Sequence, residues 1–414
     1  VLFNALLLFS QKMTGKNGME EPAVKKDLSA AYAYIDEIRE ETLGLYREFV
    51  NRESWSKTPD KVRIFSDFLK AEMEKAGFEC RYVPVGVNAD TLVGVLGKDR
   101  PGKPILFCGH MDTVFPTGMH PENPFKIVDG KAYGPGVLDM KGGILIALTT
   151  VKALNRIGYD ERPIKFCFSG DEEINHTGSQ GAEVMEAEAK GCLCAFNMET
   201  GMIDNYLCTG RKGCLRYTVE VDGVETHSGN DFQGGRSAIA EMAYKIIDFH
   251  NMTDLSIGNT CNIGTISGGT VPNAVPAHCE VVLDMRYTTM SGKEKLLARL
   301  DEICKKTYID GTSTKYAFLN KLDVFETTGE GMRFFEYVRG ITKEYGLPEV
   351  NGRPLGGGSD AASTTMAGVP TICSCGVRGQ WNHTMKEYAV VDSIFDRSKM
   401  YVAAVANSDQ FAQE

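Results

Sequence analysis

Four short apolar runs constrain the fold of this chain more than any other feature. They are separated by segments of helix length, and each is followed by a residue type that can bind a metal ion. The runs are 105–109 before His110, 164–170 before Asp171-Glu172-Glu173, 192–198 before Glu199, and 371–377 a few residues before His383. Such runs are typical of buried parallel strands, and open α/β sheets place their chemistry at the carboxyl ends of these strands. We therefore expect the four groups to meet in one crevice.

The overall composition limits the partners that the chain can have. It has 414 residues, of which 43% are hydrophobic, so it is long enough for two or more domains. Its formal net charge is −10, its pI is near 5.4, and no long Lys/Arg run offsets the acidic excess. We therefore expect a small molecule or a peptide as the partner, and neither nucleic acid nor a membrane.

Twelve cysteines are present, and their positions favour a structural use. Most lie inside apolar runs or form C-x-C pairs, as Cys192/Cys194 and Cys373/Cys375 do, and none forms a C-x-x-C metal knuckle. We expect buried, reduced side chains, because free cysteine is among the most often buried residues. Reduced cysteines favour a cytoplasmic location.

The pattern of helices and strands changes twice along the chain. Helical periodicity over 28–50 and 59–76 precedes strands that alternate with helices, which is typical of an α/β domain with a mainly parallel sheet. From Arg211 the strands alternate polar with apolar residues, as antiparallel strands with one exposed face do. The order strand-helix-strand-strand-helix-strand then runs to about Asp323, after which the first pattern resumes.

These changes predict an α/β fold with an insertion. We predict a discontinuous catalytic domain, residues 25–210 and 326–414, interrupted by an inserted α+β domain at 211–325. Residues 1–24 are expected to lie outside this fold. Their apolar start is shorter than a membrane span and lacks a basic segment and a cleavage site, so an over-extended start is favoured over a weak signal segment.

The first candidate ligand is His110, in the segment Gly109-His110-Met111-Asp112. A metal-bound imidazole needs a partner for its second nitrogen, and a carboxylate two residues further along an extended chain lies on the same side. His110 is therefore a candidate ligand, and Asp112 is its candidate orienting partner. The alternative is an ordinary buried histidine, because this triplet is common.

A glycine-rich loop, residues 134–138, leads to a single aspartate, Asp139, and then into a helix. Glycines allow the backbone of such a loop to pass close to a tight site, where the carboxylate can bind a metal. The alternative is that Asp139 caps the N-terminus of the helix. The sequence favours neither interpretation.

Three consecutive carboxylates, Asp171, Glu172 and Glu173, follow the second apolar run. Such a cluster resists burial, so it either lies on a solvated surface or surrounds a cation. In an extended segment Glu172 and Glu173 point in opposite directions, so one can bind a metal while the other faces the attacking water. Glu199 and His383 supply a further carboxylate and a second imidazole.

Together these candidates exceed the ligand set of one zinc ion. They comprise two histidines, one aspartate and two metal-facing glutamates, with another glutamate left over. A zinc ion binds about four ligands, and a catalytic site leaves one position open. Five ligands favour two ions about 3.5–4 Å apart that share a bridging carboxylate. Nitrogen and oxygen donors without thiolate favour zinc, with cobalt or manganese as substitutes.

In this order and at these spacings, the motifs resemble those of the co-catalytic zinc amidohydrolases and exopeptidases of the aminoacylase, succinyl-diaminopimelate desuccinylase and carboxypeptidase G family. The resemblance runs from about Lys25 to the C-terminus, and the glutamate-releasing carboxypeptidase G type is the nearest. It implies a zinc-exopeptidase-like mixed sheet flanked by helices, with a ferredoxin-like lid that also forms a homodimer.

The resemblance also implies a role for each candidate. Asp139 would bridge the two metals, with His110 and Glu199 on one ion and Glu173 and His383 on the other. Glu172 lies at the family's general base, and Asp112 at its histidine-orienting position. The peptide bond after the bridging aspartate is typically cis in this family. Glu199 stands where the family's aminopeptidases usually have Asp, which favours carboxypeptidase or deacylase activity.

The inserted domain carries a further motif, Glu225-Thr226-His227-Ser228, which resembles the family's lid histidine motif. The resemblance implies that His227 stabilises the oxyanion and can reach the site from a partner subunit. As a bare sequence, His227 could equally be a turn residue. The other histidines match no ligand of the family and are expected to be structural or surface groups: His120, His176, His250 and His278.

Two other residues match positions that bind the substrate's α-carboxylate in carboxypeptidase G-like enzymes: Asn273 and Arg286. A guanidinium suits this role because its donors are planar and bidentate. The alternative for Arg286 is a salt bridge with Asp284. Gly357 or Gly358 could supply a backbone contact to the substrate.

The leading functional prediction is a two-zinc carboxypeptidase that releases a C-terminal, glutamate-like amino acid from a small peptide or N-acyl amino acid. An N-acyl-amino-acid deacylase (aminoacylase) or a dipeptidase is the alternative. A non-catalytic ligand-binding relative is a remote third, because no ligand or base is missing. Nucleotide binding is excluded, since Gly356-Gly357-Gly358-Ser359 has neither the lysine nor the spacing of a phosphate loop.

Overall fold

The computed structural model describes residues 25–412. The predicted extension, residues 1–24, lies outside the described residues. No helix within 25–412 is long and apolar enough to cross a membrane. All twelve cysteines are free thiols, and every one except Cys80 is buried, which agrees with the expected structural use.

The N-terminal part alternates helices and strands. Its helices are α1 (Ser29–Glu37), α2 (Arg39–Val50), α3 (Pro59–Lys75), α4 (Lys141–Arg156) and α5 (Gly181–Ala189). Its strands are β1 (Glu79–Val83), β2 (Thr91–Leu96), β3 (Ile105–His110), β4 (Lys126–Val128), β5 (Lys131–Tyr133), β6 (Ile164–Ser169), β7 (Cys194–Asn197), β8 (Gly201–Met202) and β9 (Tyr206–Arg211).

The middle part contains the inserted segment, and the C-terminal part completes the chain. The inserted segment consists of β10 (Gly213–Asp222), β11 (Thr226–His227), α6 (Ala238–His250), β12 (Thr260–Gly268), β13 (Ala274–Val275), β14 (His278–Tyr287), α7 (Met290–Lys305) and β15 (Ser313–Leu322). The C-terminal part consists of α8 (Gly329–Glu344), β16 (Asn351–Leu355), α9 (Ala361–Met366), β17 (Thr371–Ile372), β18 (Arg378–Gln380), β19 (Tyr388–Val390), α10 (Asp392–Ala406) and α11 (Ser408–Ala412).

A six-stranded mixed sheet forms the centre, in the order β1-β2-β6-β3-β7-β17. Strand β3 pairs in parallel with both β6 and β7, and β17 pairs in parallel with β7. Strand β2 runs antiparallel to both of its neighbours, β1 and β6. Every residue of β3 and β7 is buried, as expected for strands covered by helices on both faces. The carboxyl ends of β3, β6 and β7 therefore meet at one edge of the sheet.

Glycine at the start of α4 brings this helix against the end of β7. A Cβ on Gly143 would lie 1.9 Å from the carbonyl oxygen of Met198, a distance that real Cβ atoms essentially never show. Only glycine allows this approach. It places the preceding Asp139 beside Glu199, which directly follows Met198.

The inserted segment folds into a four-stranded antiparallel sheet in the order β12-β14-β10-β15. Helices α6 and α7 cover one face, where the buried side chains belong to residues such as Leu215, Val219 and Leu283. The alternate positions of the same strands, such as Arg216 and Asp284, face away from this core and are partly exposed. Apart from the two-residue strands β11 and β13, which were not predicted, the order of strands and helices is the one that the sequence predicts.

Two large hydrophobic cores lie on either side of the transition near residue 211. The larger core draws on buried residues from 28–207 and 334–411, and the core under the antiparallel sheet draws on 215–324. The inserted segment therefore has a hydrophobic core of its own. The fold class, an α/β architecture with a mixed sheet flanked by helices, is confirmed.

A five-stranded sheet in the order β4-β5-β19-β18-β8 was not predicted. Its strands are only two or three residues long and carry no extended apolar run, which explains why sequence periodicity does not reveal them. This sheet matters for the site because the loop between β18 and β19 carries His383.

Several helix boundaries differ from the predicted ones. The sequence predicts helices that begin at Lys293 and Met332, but α7 and α8 begin three residues earlier, directly after Thr289 and Thr328. The hydroxyls of both threonines accept a hydrogen bond from a backbone N–H three residues on, so these helices begin at N-caps. The sequence also predicts one final helix over 390–410, but the structure divides it at Asn407 into α10 and α11.

Candidate binuclear metal site

Four of the five predicted metal ligands lie close to the end of a strand or the start of a helix, and the fifth lies in a loop. His110 is the last residue of β3, Glu173 lies in a short 3-10 turn after β6, and Glu199 follows β7 by two residues. Asp139 lies two residues before α4, and the Asp139–Met140 peptide bond is cis, as the resemblance implies. His383 lies between β18 and β19 with a positive φ of 62°.

Asp139 presents one carboxylate oxygen to each half of the cluster. Its Oδ1 lies 3.2 Å from Nε2 of His110, and its Oδ2 lies 3.0 Å from Nε2 of His383. Glu199 Oε1 lies 3.6 Å from the His110 nitrogen, and Glu173 Oε2 lies 3.2 Å from the His383 nitrogen. Two groups of donor atoms therefore share a single carboxylate.

These spacings fit a pair of cations. Ligand atoms about 2.0–2.2 Å from a tetrahedral zinc ion lie roughly 3.3–3.6 Å from each other. The four distances in the cluster run from 3.0 to 3.6 Å. Glu173 Oε1 is buried and has no hydrogen-bond partner, so it has a free lone pair for a cation. The residues present fit the metal pair that the sequence predicts.

The electrostatics of the cluster also favour bound cations. Burial, reinforced by the charge of Asp139, raises the pKa of Glu173 to about 7 and the pKa of Glu199 to about 8. Hydrogen bonds to Asp139 and Glu173 raise the pKa of His383 to about 11. Although burial opposes it, His110 and His383 hold the pKa of Asp139 below its ordinary value. Carboxylates that crowd each other in this way are stabilised by positive charge among them.

Asp112 holds both the imidazole and the turn that follows β6. Nδ1 of His110 lies 3.0 Å from the backbone carbonyl oxygen of Asp112 and 3.4 Å from its carboxylate. The same carboxylate accepts hydrogen bonds from the backbone N–H groups of Glu172 and Glu173, at 3.2 and 3.1 Å. Ser56 Oγ donates to it as well, at 2.6 Å. Asp112 therefore contacts the imidazole of His110, as the sequence predicts, and also the backbone of Glu172 and Glu173, which the sequence does not predict.

Glu172 lies at the edge of the cluster. One of its carboxylate oxygens is within 4.8 Å of donor atoms of His110 and Glu199. Burial raises its pKa well above the ordinary value, and the charge of Glu199 adds to this rise while His110 opposes it. A carboxyl group with a raised pKa is suited to accept a proton and to return it.

Sequence reasoning missed two residues that support Asp139. The buried carboxylate of Glu387 accepts hydrogen bonds from the backbone N–H groups of Gly136, Leu138 and Asp139, at 3.3, 2.7 and 3.0 Å. Nδ2 of Asn382 donates to Oδ2 of Asp139 at 3.2 Å. Glu387 is separated from Asp139 by 248 positions, so no local motif could reveal it.

His176 links the turn after β6 to the loop before α9. Its Nδ1 lies 2.7 Å from Oδ1 of Asp171, and its Nε2 lies 2.7 Å from Oδ1 of Asp360. Since both ring nitrogens face carboxylates, both must donate, and these carboxylates raise the pKa of His176 well above its ordinary value although burial opposes it. The structural role expected for His176 agrees with this buried network.

Two candidate residues of the inserted segment, His227 and Asn273, lie close to each other. His227 lies in β11, which pairs with β13, and its exposed side chain accepts hydrogen bonds at Nδ1 from the N–H groups of Gly229 and Asn230, both at 3.2 Å. The carbonyl oxygen of Asn273 accepts a hydrogen bond from the N–H of Ser228. No hydrogen bond or ion pair within residues 25–412 joins His227 or Asn273 to the metal ligands, so their roles stay predictions.

Arg286 makes the salt bridge that the sequence analysis named as its alternative. Its Nε and Nη2 donate to the two carboxylate oxygens of Asp284, at 2.6 and 3.0 Å. Arg216, which belongs to no recognisable motif, donates from Nε to the same carboxylate at 2.9 Å. The carbonyl oxygen of Gly358 accepts a hydrogen bond from Arg211 at 3.1 Å.

The mixed α/β sheet gathers nitrogen and oxygen donors that could hold metal ions at its carboxyl edge. Residues 106–407 match the sequence profile of the family described as "Peptidase family M20/M25/M40", and the chain belongs to this family. The resemblance found in the sequence is therefore confirmed, and the chain is a metal-dependent hydrolase of a family with binuclear metal centres.

The proteins to which this chain is similar are named for different activities. The chain is 29% identical to carboxypeptidase G2 from Pseudomonas sp. (strain RS-16) over 387 residues, which cover 92% of each chain. It is 25% identical to succinyl-diaminopimelate desuccinylase from Ehrlichia canis (strain Jake) over 358 residues, 81% of this chain and 90% of the relative. The crystal structure of aminopeptidase PepT from Bacillus cereus ATCC 10987 matches the fold with a TM-score of 0.73 at 20% identity, over 90% of this chain and 99% of that chain.

Proposed function

We propose that this protein is a two-zinc carboxypeptidase that cleaves the amide bond next to a free carboxylate and releases a C-terminal, glutamate-like amino acid. The observation that carries this proposal is the pair of donor groups that share Asp139, combined with Glu172 at their edge. Asp139 would bridge the ions, with His110 and Glu199 on one and Glu173 and His383 on the other. The match to carboxypeptidase G2 over most of both chains supports the carboxypeptidase assignment.

When bound, the two ions would polarise the scissile carbonyl and make a water molecule a better nucleophile. Glu172 would take the proton of the attacking water and pass it to the nitrogen of the leaving amine. Its position beside His110 and Glu199 and its raised pKa support this role. Asp112 would keep Glu172 in place, because its carboxylate binds the backbone N–H of that residue.

Residues of the lid would position the substrate. Arg286 would bind the free α-carboxylate with its remaining donors, and Asn273 and the backbone of Gly358 would add polar contacts. His227 would stabilise the oxyanion. Because its imidazole is exposed and makes no contact with the cluster within residues 25–412, we infer that it acts across a homodimer formed through the lid domain, residues 211–325.

Two further inferences concern the protein as a whole. The two hydrophobic cores support a discontinuous catalytic domain, residues 25–210 and 326–414, around the lid. The free and buried cysteines support a cytoplasmic location.

An N-acyl-amino-acid deacylase or a dipeptidase is the second candidate. The observation that favours it is that Arg286 is engaged by Asp284, which leaves fewer donors for a substrate carboxylate. A protein that only binds a ligand is disfavoured, since the ligand set and Glu172 are complete.

The experiment that tests the carboxypeptidase assignment compares an N-acyl-glutamate with its α-carboxamide, in which a neutral amide replaces the free α-carboxylate. A carboxypeptidase that uses Arg286 should cleave the acid at least tenfold more efficiently, as kcat/KM, than the amide. The Arg286→Gln variant should lose most of this preference. Equal cleavage of both compounds by the wild-type protein would contradict the carboxypeptidase assignment, because a free α-carboxylate would then not be required.

A further inference from the structure

The open face of the lid sheet is directed at the catalytic part of the chain. Leu322 of β15 lies opposite Cys214 of β10, and Cys214 lies opposite Arg286 of β14, so the three side chains share one face. The side chain of Leu322 reaches Gly358, since its Cδ1 lies 3.0 Å from where a Cβ on that glycine would be. The face that carries Arg286 is therefore the face that meets the loop before α9.

Arg216 lies on the same face of the sheet, two residues after Cys214 along β10. It is opposite Asn320 on β15 and opposite Asp284 on β14. A cavity of about 320 Å³ between β15 and the catalytic part is lined by Asn320 and by the predicted base, Glu172. Arg216 is therefore the cross-strand neighbour of Asn320, and Asn320 lines the same cavity as Glu172.

Arg216 and Arg286 share one acidic partner. Both guanidinium groups donate through Nε to Asp284, and Arg286 donates through Nη2 as well. Despite partial burial of Asp284, the two arginines hold its pKa below the ordinary value, so it is ionised. Two cations and one anion give Arg216, Arg286 and Asp284 a net charge of +1. The carboxylate of Asp284 holds both guanidinium groups in position.

Both arginines keep free donors. Within residues 25–412, Asp284 is the one acceptor recorded for Arg216 or Arg286, so Nη1 of each group and Nη2 of Arg216 have no partner there. Their side chains are 43% and 28% exposed, respectively, so a ligand can reach them. A guanidinium with unused, exposed donors at a fixed position is suited to bind a carboxylate.

We propose that Arg216 and Arg286 form a paired subsite for an amino acid with two carboxylates, in which Arg286 binds the α-carboxylate and Arg216 binds the side-chain carboxylate. This inference rests on the proposed function, because it assumes that the released residue has a free α-carboxylate. In a glutamate-like residue the two carboxyl carbons are separated by four bonds, a reach of roughly 4–5 Å. That reach suits two guanidinium groups that converge on the two oxygens of a single aspartate. Arg216 is then the residue that selects an acidic side chain.

The test compares N-benzoyl-glutamate with N-benzoyl-glutamine, which differ only in the charge of the side chain. The wild-type protein should favour the glutamate compound at least tenfold in kcat/KM. The Arg216→Gln variant should lower kcat/KM for glutamate roughly ten- to a hundredfold more than for glutamine, because a charge-assisted bidentate contact is lost. Arg216→Lys keeps the charge without the planar donors and should fall between the two.

The matched control is Arg299→Gln. Arg299 lies on α7 of the same domain, is also 43% exposed and pairs with Glu302, but it lies on a helix rather than on the open face of the sheet. This variant should keep the wild-type ratio between the two compounds, and a thermal unfolding curve confirms that each variant is folded.

Three results overturn the inference. Equal cleavage of the two compounds by the wild-type protein would refute the paired subsite while leaving the carboxypeptidase assignment intact. An unchanged ratio in folded Arg216→Gln would remove Arg216 from the subsite. Failure of the metal-loaded wild-type protein to cleave either compound would overturn the proposed function and this inference with it.

Discussion

The close approach of Gly143 to Met198 leads to a sharp prediction for the Gly143→Ala variant. The added Cβ would lie 1.9 Å from the Met198 carbonyl oxygen and 2.9 Å from its carbonyl carbon, whereas real Cβ contacts are essentially never under 3.0 Å. The start of α4 and the end of β7 must therefore separate by at least about 1 Å. This overpacking should cost about 1–3 kcal/mol in the free energy of unfolding.

The same separation should damage the metal site, because Asp139 lies before α4 and Glu199 lies after β7. Metal–ligand distances tolerate only about 0.2 Å, so a shift of about 1 Å between two ligands should weaken metal binding and lower kcat/KM about a hundredfold. Urea unfolding, metal content after dialysis and hydrolysis of an N-acyl-glutamate measure the three effects.

Two glycines provide controls for the Gly143→Ala variant. Gly44 in α2 and Gly340 in α8 also lie within helices, and a Cβ on either meets nothing within 4 Å. Alanine at these positions should leave activity unchanged and raise stability by roughly 0.5–1 kcal/mol, because alanine favours a helix. If Gly143→Ala binds metal and turns over substrate like these controls, the argument that Gly143 sets the distance between Asp139 and Glu199 is wrong.

Three more predictions concern single groups. Glu172→Gln should lower kcat about 10²–10⁴-fold while metal content stays at the wild-type level, and substantial remaining activity would refute its role as the base. His176→Ala leaves the buried carboxylates of Asp171 and Asp360 without their shared cation, so unfolding in urea should show a loss of about 3–5 kcal/mol; a loss below about 1 kcal/mol would contradict the network. Removal of metal by a chelator should stop hydrolysis and lower the midpoint of thermal unfolding by several degrees, because the crowded carboxylates lose the positive charge that stabilises them. Added zinc should restore both the activity and the unfolding midpoint. A protein whose midpoint does not respond to the chelator would argue against ions among these carboxylates.

Much of the fold was predictable because the central strands are short and mainly apolar. The apolar runs 105–109 and 164–170 match β3 and β6 to within one residue, and the helical periodicity over 59–76 matches α3 equally well. The errors arose where local polar chemistry sets a boundary, as at the threonine N-caps of α7 and α8. The short strands of the five-stranded sheet escaped prediction because they depend on partners distant in sequence.

The candidate site was predictable to the extent that its residues follow strand ends. The sequence could name His110 and Glu199 because each comes directly after an apolar run, and Glu173 because it follows another run within three residues. The structure brings the three residues together around Asp139. It could not name Glu387, because a supporting carboxylate binds backbone N–H groups and needs no motif. Nor could it reveal that Arg216 shares Asp284 with Arg286, since this depends on the pairing of β10 with β14.

The central claim is that two metal ions share Asp139 and that both are needed for hydrolysis. The most direct measurement is to titrate zinc into the metal-free protein while following both bound metal and cleavage of an N-acyl-glutamate. The account predicts that activity continues to rise until about two ions are bound per chain, and that Asp139→Asn binds fewer ions and stays inactive. Full activity at about one ion per chain, or normal activity of Asp139→Asn, would contradict the binuclear site.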